Sequence, residues 1–198
     1  AEDLRQRYRE RQQGTLARLP AKTSAFQSWA LRLREHARGA LAEAELAYWQ
    51  RLRDADASLP LDRPHGTNLA CYGRAINTRL PREATARLLQ DAARAYRTQI
   101  NDLLLLALAD VVCRWTGRPD ALVHLEGHGR EELFPEIDLS RTVGWFTSLY
   151  PVRLAPADDI ASSIKAVKEQ LRQVPGNGLG FGVLRHLGDD ACRAALAA

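Results

Sequence analysis

The stretch Ala121-Leu122-Val123-His124-Leu125-Glu126-Gly127-His128-Gly129-Arg130-Glu131 decides how this chain is read. Its first six residues have the apolar character of a buried strand, and the two glycines mark where that strand stops. A carboxylate at a strand end, followed by glycines that let backbone or ligand approach closely, can hold a proton acceptor at the mouth of a cleft. In an extended chain His124, Glu126 and His128 point the same way. Three readings stay open on this pattern: a proton acceptor, a plain turn with Glu126 paired to an arginine, and a metal site built from the two histidines and the glutamate. The residues alone favour the turn. The metal reading is the weakest, because neither a further ligand nor a hydrophobic shell accompanies it.

Working outward, Ala70 to Leu80 reads as a strand and Pro81 to Arg97 as a helix with Leu88, Leu89, Ala92 and Tyr96 inward. Asn101 is expected to cap a very apolar helix that runs through Trp115 to Gly117 and is buried nearly all round. Downstream, Thr142 to Leu154 has apolar residues on both faces, which predicts a central strand. Asp158 is expected to cap a helix carrying Ile160, Ile164, Val167 and Leu171, and the glycine ladder from Gly176 to Gly182 leads into a short last helix. The ladder follows a helix and lacks both phosphate-loop patterns, so it reads as a special turn beside a ligand or a packed backbone. Upstream lie three helices: residues 1–13, ended by Gly14; a second, with an N-cap in Thr23 to Gln27 and Phe26, Trp29, Ala30 and Leu33 at helical spacing; and a third with Leu41, Ala44, Tyr48 and Leu52 on one stripe. Residues 56–68, rich in proline and turn formers, read as a linker between a helical block (1–55) and a second block (69–198). Strands and helices alternate in the second block, so the class is α/β.

The 198 residues, 45% hydrophobic and 26% charged, fit one globular domain or one and a part. The longest apolar run, Leu103 to Ala109, is far short of the ~20 residues of a membrane span. Cys71, Cys113 and Cys192 form no C-x-x-C pair, and no export signal opens the chain, so a reducing cytoplasm is expected. The absence of methionine suggests a piece of a longer polypeptide. The net charge is +4, but only three of the 28 basic residues are lysines, and the arginines are interleaved with acids. That is a solvated face rather than a phosphate track, and it suits an acidic protein partner. The segment Asp138 to Thr147 reads as a core strand with an arginine tying down the loop before it. Ser140 has no G-x-S-x-G context, which disfavours a serine hydrolase.

Four stretches in order, Leu19 to Ala30 (L-P-A-K-T-S-A-F-Q-S-W-A), Glu126 to Glu131 (E-G-H-G-R-E), Arg141 to Thr147 (R-T-V-G-W-F-T) and Pro175 to Gly182 (P-G-N-G-L-G-F-G), resemble the epimerization domain of nonribosomal peptide synthetases. That family is a branch of the condensation-domain superfamily. The resemblance implies a two-lobed, chloramphenicol-acetyltransferase-like (CoA-dependent acyltransferase) fold, here the end of the N-lobe and most of the C-lobe. Condensing members usually carry a shorter G-x-F-x-N-T pattern and lack E-G-H-G-R-E, which favours epimerization over peptide-bond formation. Phe181 stands where the family tends to have tyrosine. The family's H-H-x-x-x-D-G motif would fall upstream of residue 1, and its terminal F-N-Y-L-G-like motif is also not within the sequence. The implied chemistry is L-to-D inversion at the α-carbon of an aminoacyl or peptidyl thioester on a carrier protein's phosphopantetheine arm. Glu126 carries over as one acid/base group, opposite the histidine of the upstream motif. His128, Arg130 and Trp145 are second-choice residues that touch substrate or line the cleft. The expected partners are a carrier domain and neighbouring synthetase domains, with no metal, nucleotide, nucleic acid or membrane. A condensation or dual condensation/epimerization domain, and a non-catalytic carrier-docking remnant, are the alternatives.

Overall fold

Apolar residues at intervals of three and four mark the second and third helices, whereas the first is charged and buries none of its residues. The computed structural model, which describes residues 2–15, 19–67 and 69–197, has α1 (Glu2–Gln12), α2 (Phe26–His36) and α3 (Leu41–Arg53). Trp29 of α2 and Leu41 and Trp49 of α3 are buried, and the Trp49 indole meets the Phe181 ring edge-on at 5.4 Å. The N-cap of α2 is Ala25, with no side-chain cap. The residues expected to cap it clamp a distant loop instead: Thr142 Oγ1 donates to the Ser24 carbonyl at 2.6 Å, and Asp138 N donates to Ser24 Oγ at 3.0 Å.

Residues 55–67 hold neither helix nor strand. Arg118 ties this segment to the second block by donating to the carbonyl of Asp56 at 2.8 Å. The strand expected over Ala70 to Leu80 is not formed. One 3₁₀ turn, Ala70–Tyr72, is followed by irregular backbone with Ile76 97% exposed. A strand needs a neighbour for its N–H and C=O groups, and none of the described strands pairs with this segment. The expected helix over 81–97 exists as α4 (Arg82–Arg87), a π turn (Leu88–Ala92) and α5 (Ala93–Tyr96), with Leu89 exposed rather than inward.

Helix α6 (Ile100–Thr116) starts earlier than a cap at Asn101 implied. Gln99 and Asp102 form a capping box, and Gly117 closes the helix at φ +69°. It is not buried all round. Leu106 and Ala109 are buried, while Leu104, Leu108, Val111 and Trp115 make an exposed stripe on one face. Strands β1 (Ala121–Gly127) and β2 (Ser148–Leu154) pair antiparallel, from Ala121 opposite Leu154 to Gly127 opposite Ser148. The strand expected from Thr142 therefore begins only at Ser148 and lies in a two-stranded sheet, not at its centre. Ala121, Val152 and Leu154 are buried on one face. On the other, His124, Glu126, Leu149 and Arg153 are exposed.

Helix α7 (Ile160–Arg172) is capped by Asp159, one residue beyond the expected Asp158, whose side chain accepts the Ser162 N–H at 2.9 Å. After a 3₁₀ turn at Pro175–Gly178 come α8 (Leu179–Leu187) and α9 (Asp190–Ala195). Among the described residues no helix is long and apolar enough to cross a membrane. The mixed α/β class holds, with helices packed around one hairpin.

Two truncations separate the faces of this core. Leu184→Ala, at a fully buried position, should cost about 2–5 kcal/mol in urea unfolding. Leu104→Ala, on the exposed stripe of α6, should stay within about 0.5 kcal/mol of wild type. A large loss at Leu104 would show that this face is covered.

Candidate functional site

The hairpin places the candidate carboxylate. Glu126 is the last residue of β1 before the glycine and sits opposite Leu149, so their side chains share a face with Cβ atoms ~5 Å apart. The Glu126 side chain is exposed. Among the described residues it has no hydrogen-bond or ion-pair partner, so the arginine partner of the plain-turn reading is not found. The burial that would ease proton transfer is also not supplied by these elements.

The turn after Glu126 is determined by close approach. Gly129 has φ +66°, and a Cβ there would lie 1.6 Å from the Phe146 carbonyl oxygen. At Gly127 a Cβ would lie 2.7 Å from Ser148 Oγ. Gly129 admits no side chain, whereas at Gly127 an added Cβ would have to displace the Ser148 hydroxyl. Arg130 then reaches back under the loop. Its guanidinium donates to the carbonyls of Leu139 at 2.7 Å and Thr142 at 2.9 Å and lies 4.0 Å from the centre of the Phe146 ring. The arginine that ties down this loop is thus Arg130. Arg141, inside the loop, pairs instead with Asp3 of α1.

His128 is held by its own turn. Its Nδ1 accepts the Arg130 N–H at 3.0 Å, and its Nε2 is 3.5 Å from Glu131 Oε1. Among the described residues no cluster of three or more His, Cys, Asp or Glu is placed to hold a metal ion. Glu131 also accepts, through Oε2, a hydrogen bond from the Asn177 carboxamide at 2.9 Å. Trp145 is 84% exposed and stands at a cavity of about 630 Å³ between α2 and α8. Leu149 lines the same cavity. The structure therefore brings Trp145 and the cross-strand neighbour of Glu126 to one opening, while Arg130 and His128 serve the turn beside it.

Two residues escaped sequence reasoning. Asn177 has φ +51° between Gly176 at +51° and Gly178 at +81°, three left-handed residues in a row. This turn lets the backbone at Gly178 come so close to the Tyr150 ring that a Cβ would sit 2.0 Å from it. Glu45 is buried on α3, accepts the Trp49 indole N–H at 3.0 Å, and would lie 1.9 Å from a Cβ at Gly180. Burial raises its pKa, opposed by the Trp49 hydrogen bond and by His36. The available signal was a glutamate on the Leu41–Glu45–Trp49 stripe, spaced four apart on a face that must go inward.

Comparison with known proteins adds a lineage to this geometry. The profile of the condensation-domain family matches residues 1–194. A subunit of the linear gramicidin synthase of Brevibacillus parabrevis is 46% identical over 194 residues, which are 96% of this chain and 2% of that protein. The crystal structure of the epimerization domain from the third module of tyrocidine synthetase B superposes with a TM-score of 0.82 at 36% identity, over 98% of this chain and 44% of that one. The first condensation domain of the calcium-dependent antibiotic synthetase superposes at 0.66 and 24% identity, over 94% of this chain and 43% of that one, a likeness of fold. The chain thus spans under half of these solved domains and a small fraction of the gramicidin synthase protein.

Gly129→Ala should lower stability by about 2 kcal/mol or more, from the left-handed backbone and the collision with Phe146, read as a shift in urea midpoint. Because the pKa of Glu45 is raised on folding, its contribution to stability is full below its ordinary value of 4.5 and is lost as pH rises through the folded value. Glu45→Gln stays neutral, so its advantage over wild type should grow from about pH 4 to about pH 8. A difference that does not change with pH would contradict this.

Proposed function

The chain belongs to the condensation-domain family, and from that premise we propose that it is part of a nonribosomal peptide synthetase epimerization domain. Its reaction is inversion, L to D, at the α-carbon of an aminoacyl or peptidyl group carried as a thioester on the phosphopantetheine arm of a carrier protein. The observation that carries this reading is Glu126: a carboxylate at the end of a strand, unpaired among the described residues, beside the opening that Leu149 and Trp145 share. The greater likeness to an epimerization domain than to a condensation domain supports it.

Inversion requires a proton taken from one face of the α-carbon and another delivered to the opposite face. Glu126 is positioned to exchange a proton on its side. The second group is a histidine of an H-H-x-x-x-D-G motif, supplied from outside residues 1–198. Arg130 and His128 act as positioning residues: they hold the turn that follows Glu126. Trp145 bounds the opening in which the reacting group sits. In this assignment residues 1–55 close the N-terminal lobe, 56–68 link the lobes and 69–198 belong to the C-terminal lobe. The domain brings no cofactor of its own and works in the cytoplasm beside its carrier, whose acidic surface suits a chain of net charge +4.

The test is solvent deuterium uptake at the α-carbon of an L-aminoacyl thioester on its carrier, followed by mass spectrometry with the full-length domain that contains this chain. Wild type should take up deuterium and form D-product, and Glu126→Gln should slow exchange by about 100-fold or more. Amide formation with an acceptor carrier, and no exchange, would make it a condensation domain. Undiminished exchange in Glu126→Gln would remove Glu126 from the proton path.

A further inference from the structure

We propose that the cavity between α2 and α8 receives the side chain of the residue being inverted, that it selects large apolar side chains over cationic ones, and that Gly182 sets its depth. This rests on the epimerase reading above and specifies its substrate class. The cavity, about 630 Å³, is walled by Phe26, Trp29, Trp145, Leu149, Val183 and Leu187. Several of these are unusually open for apolar side chains: Phe26, Trp145 and Leu149 are all exposed. An aromatic-walled recess of this size beside a candidate catalytic carboxylate fits an aromatic or branched aliphatic group. Leu149 lies directly across the ladder from Glu126. An α-carbon within reach of the Glu126 carboxylate can therefore lay its side chain over Leu149 and into the recess.

The charge at the mouth decides against a cationic occupant. Arg34 and His186 line the recess, and with Arg38, Arg193, Asp189 and Asp190 they border an adjoining cavity of about 480 Å³. Asp190 is taken by Arg193, and Asp189 caps α9. Arg34 and Arg38 have no partner among the described residues. A lysine-like side chain entering here would meet Arg34 first, and beyond it a border of three guanidiniums against two carboxylates, which is net positive.

Gly182 differs from its neighbours in the glycine ladder. A Cβ at Gly178 or Gly180 would collide with Tyr150 or Glu45, whereas a Cβ at Gly182 would meet nothing within 4 Å. Its backbone is ordinary right-handed helix within α8. Side-chain atoms added there extend into space that the recess provides, with no backbone strain, so the size of residue 182 governs how much room the recess offers.

The experiment measures kcat/KM for α-proton exchange with carriers loaded with L-phenylalanyl, L-alanyl or L-lysyl groups, using the full-length domain that contains this chain. Wild type should favour phenylalanyl over alanyl by about tenfold or more and take lysyl most poorly. Gly182→Leu should cut the phenylalanyl-to-alanyl ratio by about tenfold. The ratio does not depend on the fraction of variant that folds. An unchanged ratio in Gly182→Leu, or lysyl exchanged as well as phenylalanyl by wild type, would overturn the pocket while leaving the epimerase intact. No exchange with any of the three groups in wild type would overturn the epimerase reading, and this proposal with it.

Discussion

The guanidinium of Arg130 is the group on which the rest of the site depends. It gathers the carbonyls of Leu139 and Thr142 and lies on the face of Phe146, uniting hydrogen bonding and a cation–aromatic contact in one side chain. Phe146 meets Phe26 of α2 edge-on at 5.1 Å. Thr142 and Asp138 in turn grip Ser24, just before α2. One side chain thus joins the end of β1, the long loop after it and the first buried helix. The loop has no ladder of its own to hold it, and the arginine supplies what a ladder would.

Two left-handed turns converge on this frame at one end of the hairpin, where Gly127 pairs with Ser148. Gly129 brings the strand end against the Phe146 carbonyl, and the Gly176–Asn177–Gly178 turn brings the backbone against the Tyr150 ring. Asn177 and Glu131 then hydrogen-bond across the gap. Beneath the second turn, Glu45 and Trp49 form a buried polar contact in which glycine at position 180 leaves room for the carboxyl group. Because each turn depends on the absence of a side chain, the arrangement has little freedom to relax, while the face that Glu126 takes is set by its pairing with Leu149 in the ladder.

This economy explains the division of labour in E-G-H-G-R-E. His128 and Arg130 have their polar groups committed to backbone and to Glu131, so they shape the turn. Glu126 alone keeps its side chain uncommitted among the described residues and faces the open side of the hairpin, next to Leu149 and the aromatic recess. In the proposed reaction Glu126 exchanges a proton, and a carboxylate outside any structural ion pair is spared a neighbour that would favour its charged form.

Local signals were legible where the physics is local. The presence of helices α2, α3 and α7, the stop at Gly117, the strand Ala121 to Glu126 and the ordered motifs that place the chain in its family could all be read from residue order, whereas the helix α8 begins inside the glycine ladder that read as a turn. So could the α/β class and the candidacy of Glu126. What only the tertiary structure decided depends on partners far along the chain. Thr142 to Thr147 has the composition of a strand, yet Arg130 holds it as a loop, leaving Val143 and Trp145 exposed. Ala70 to Leu80 has a strand's pattern, but no described strand lies beside it to accept its hydrogen bonds. The apolar stripe of α6 is exposed because burial is set by what packs against a helix, not by the helix itself. Glu45 and Asn177 owe their importance to close backbone approaches that no spacing rule encodes. Propensity and period belong to the residue and its neighbours in sequence, whereas exposure, strand pairing and the placing of a polar group are fixed by contacts between segments that sequence order keeps apart.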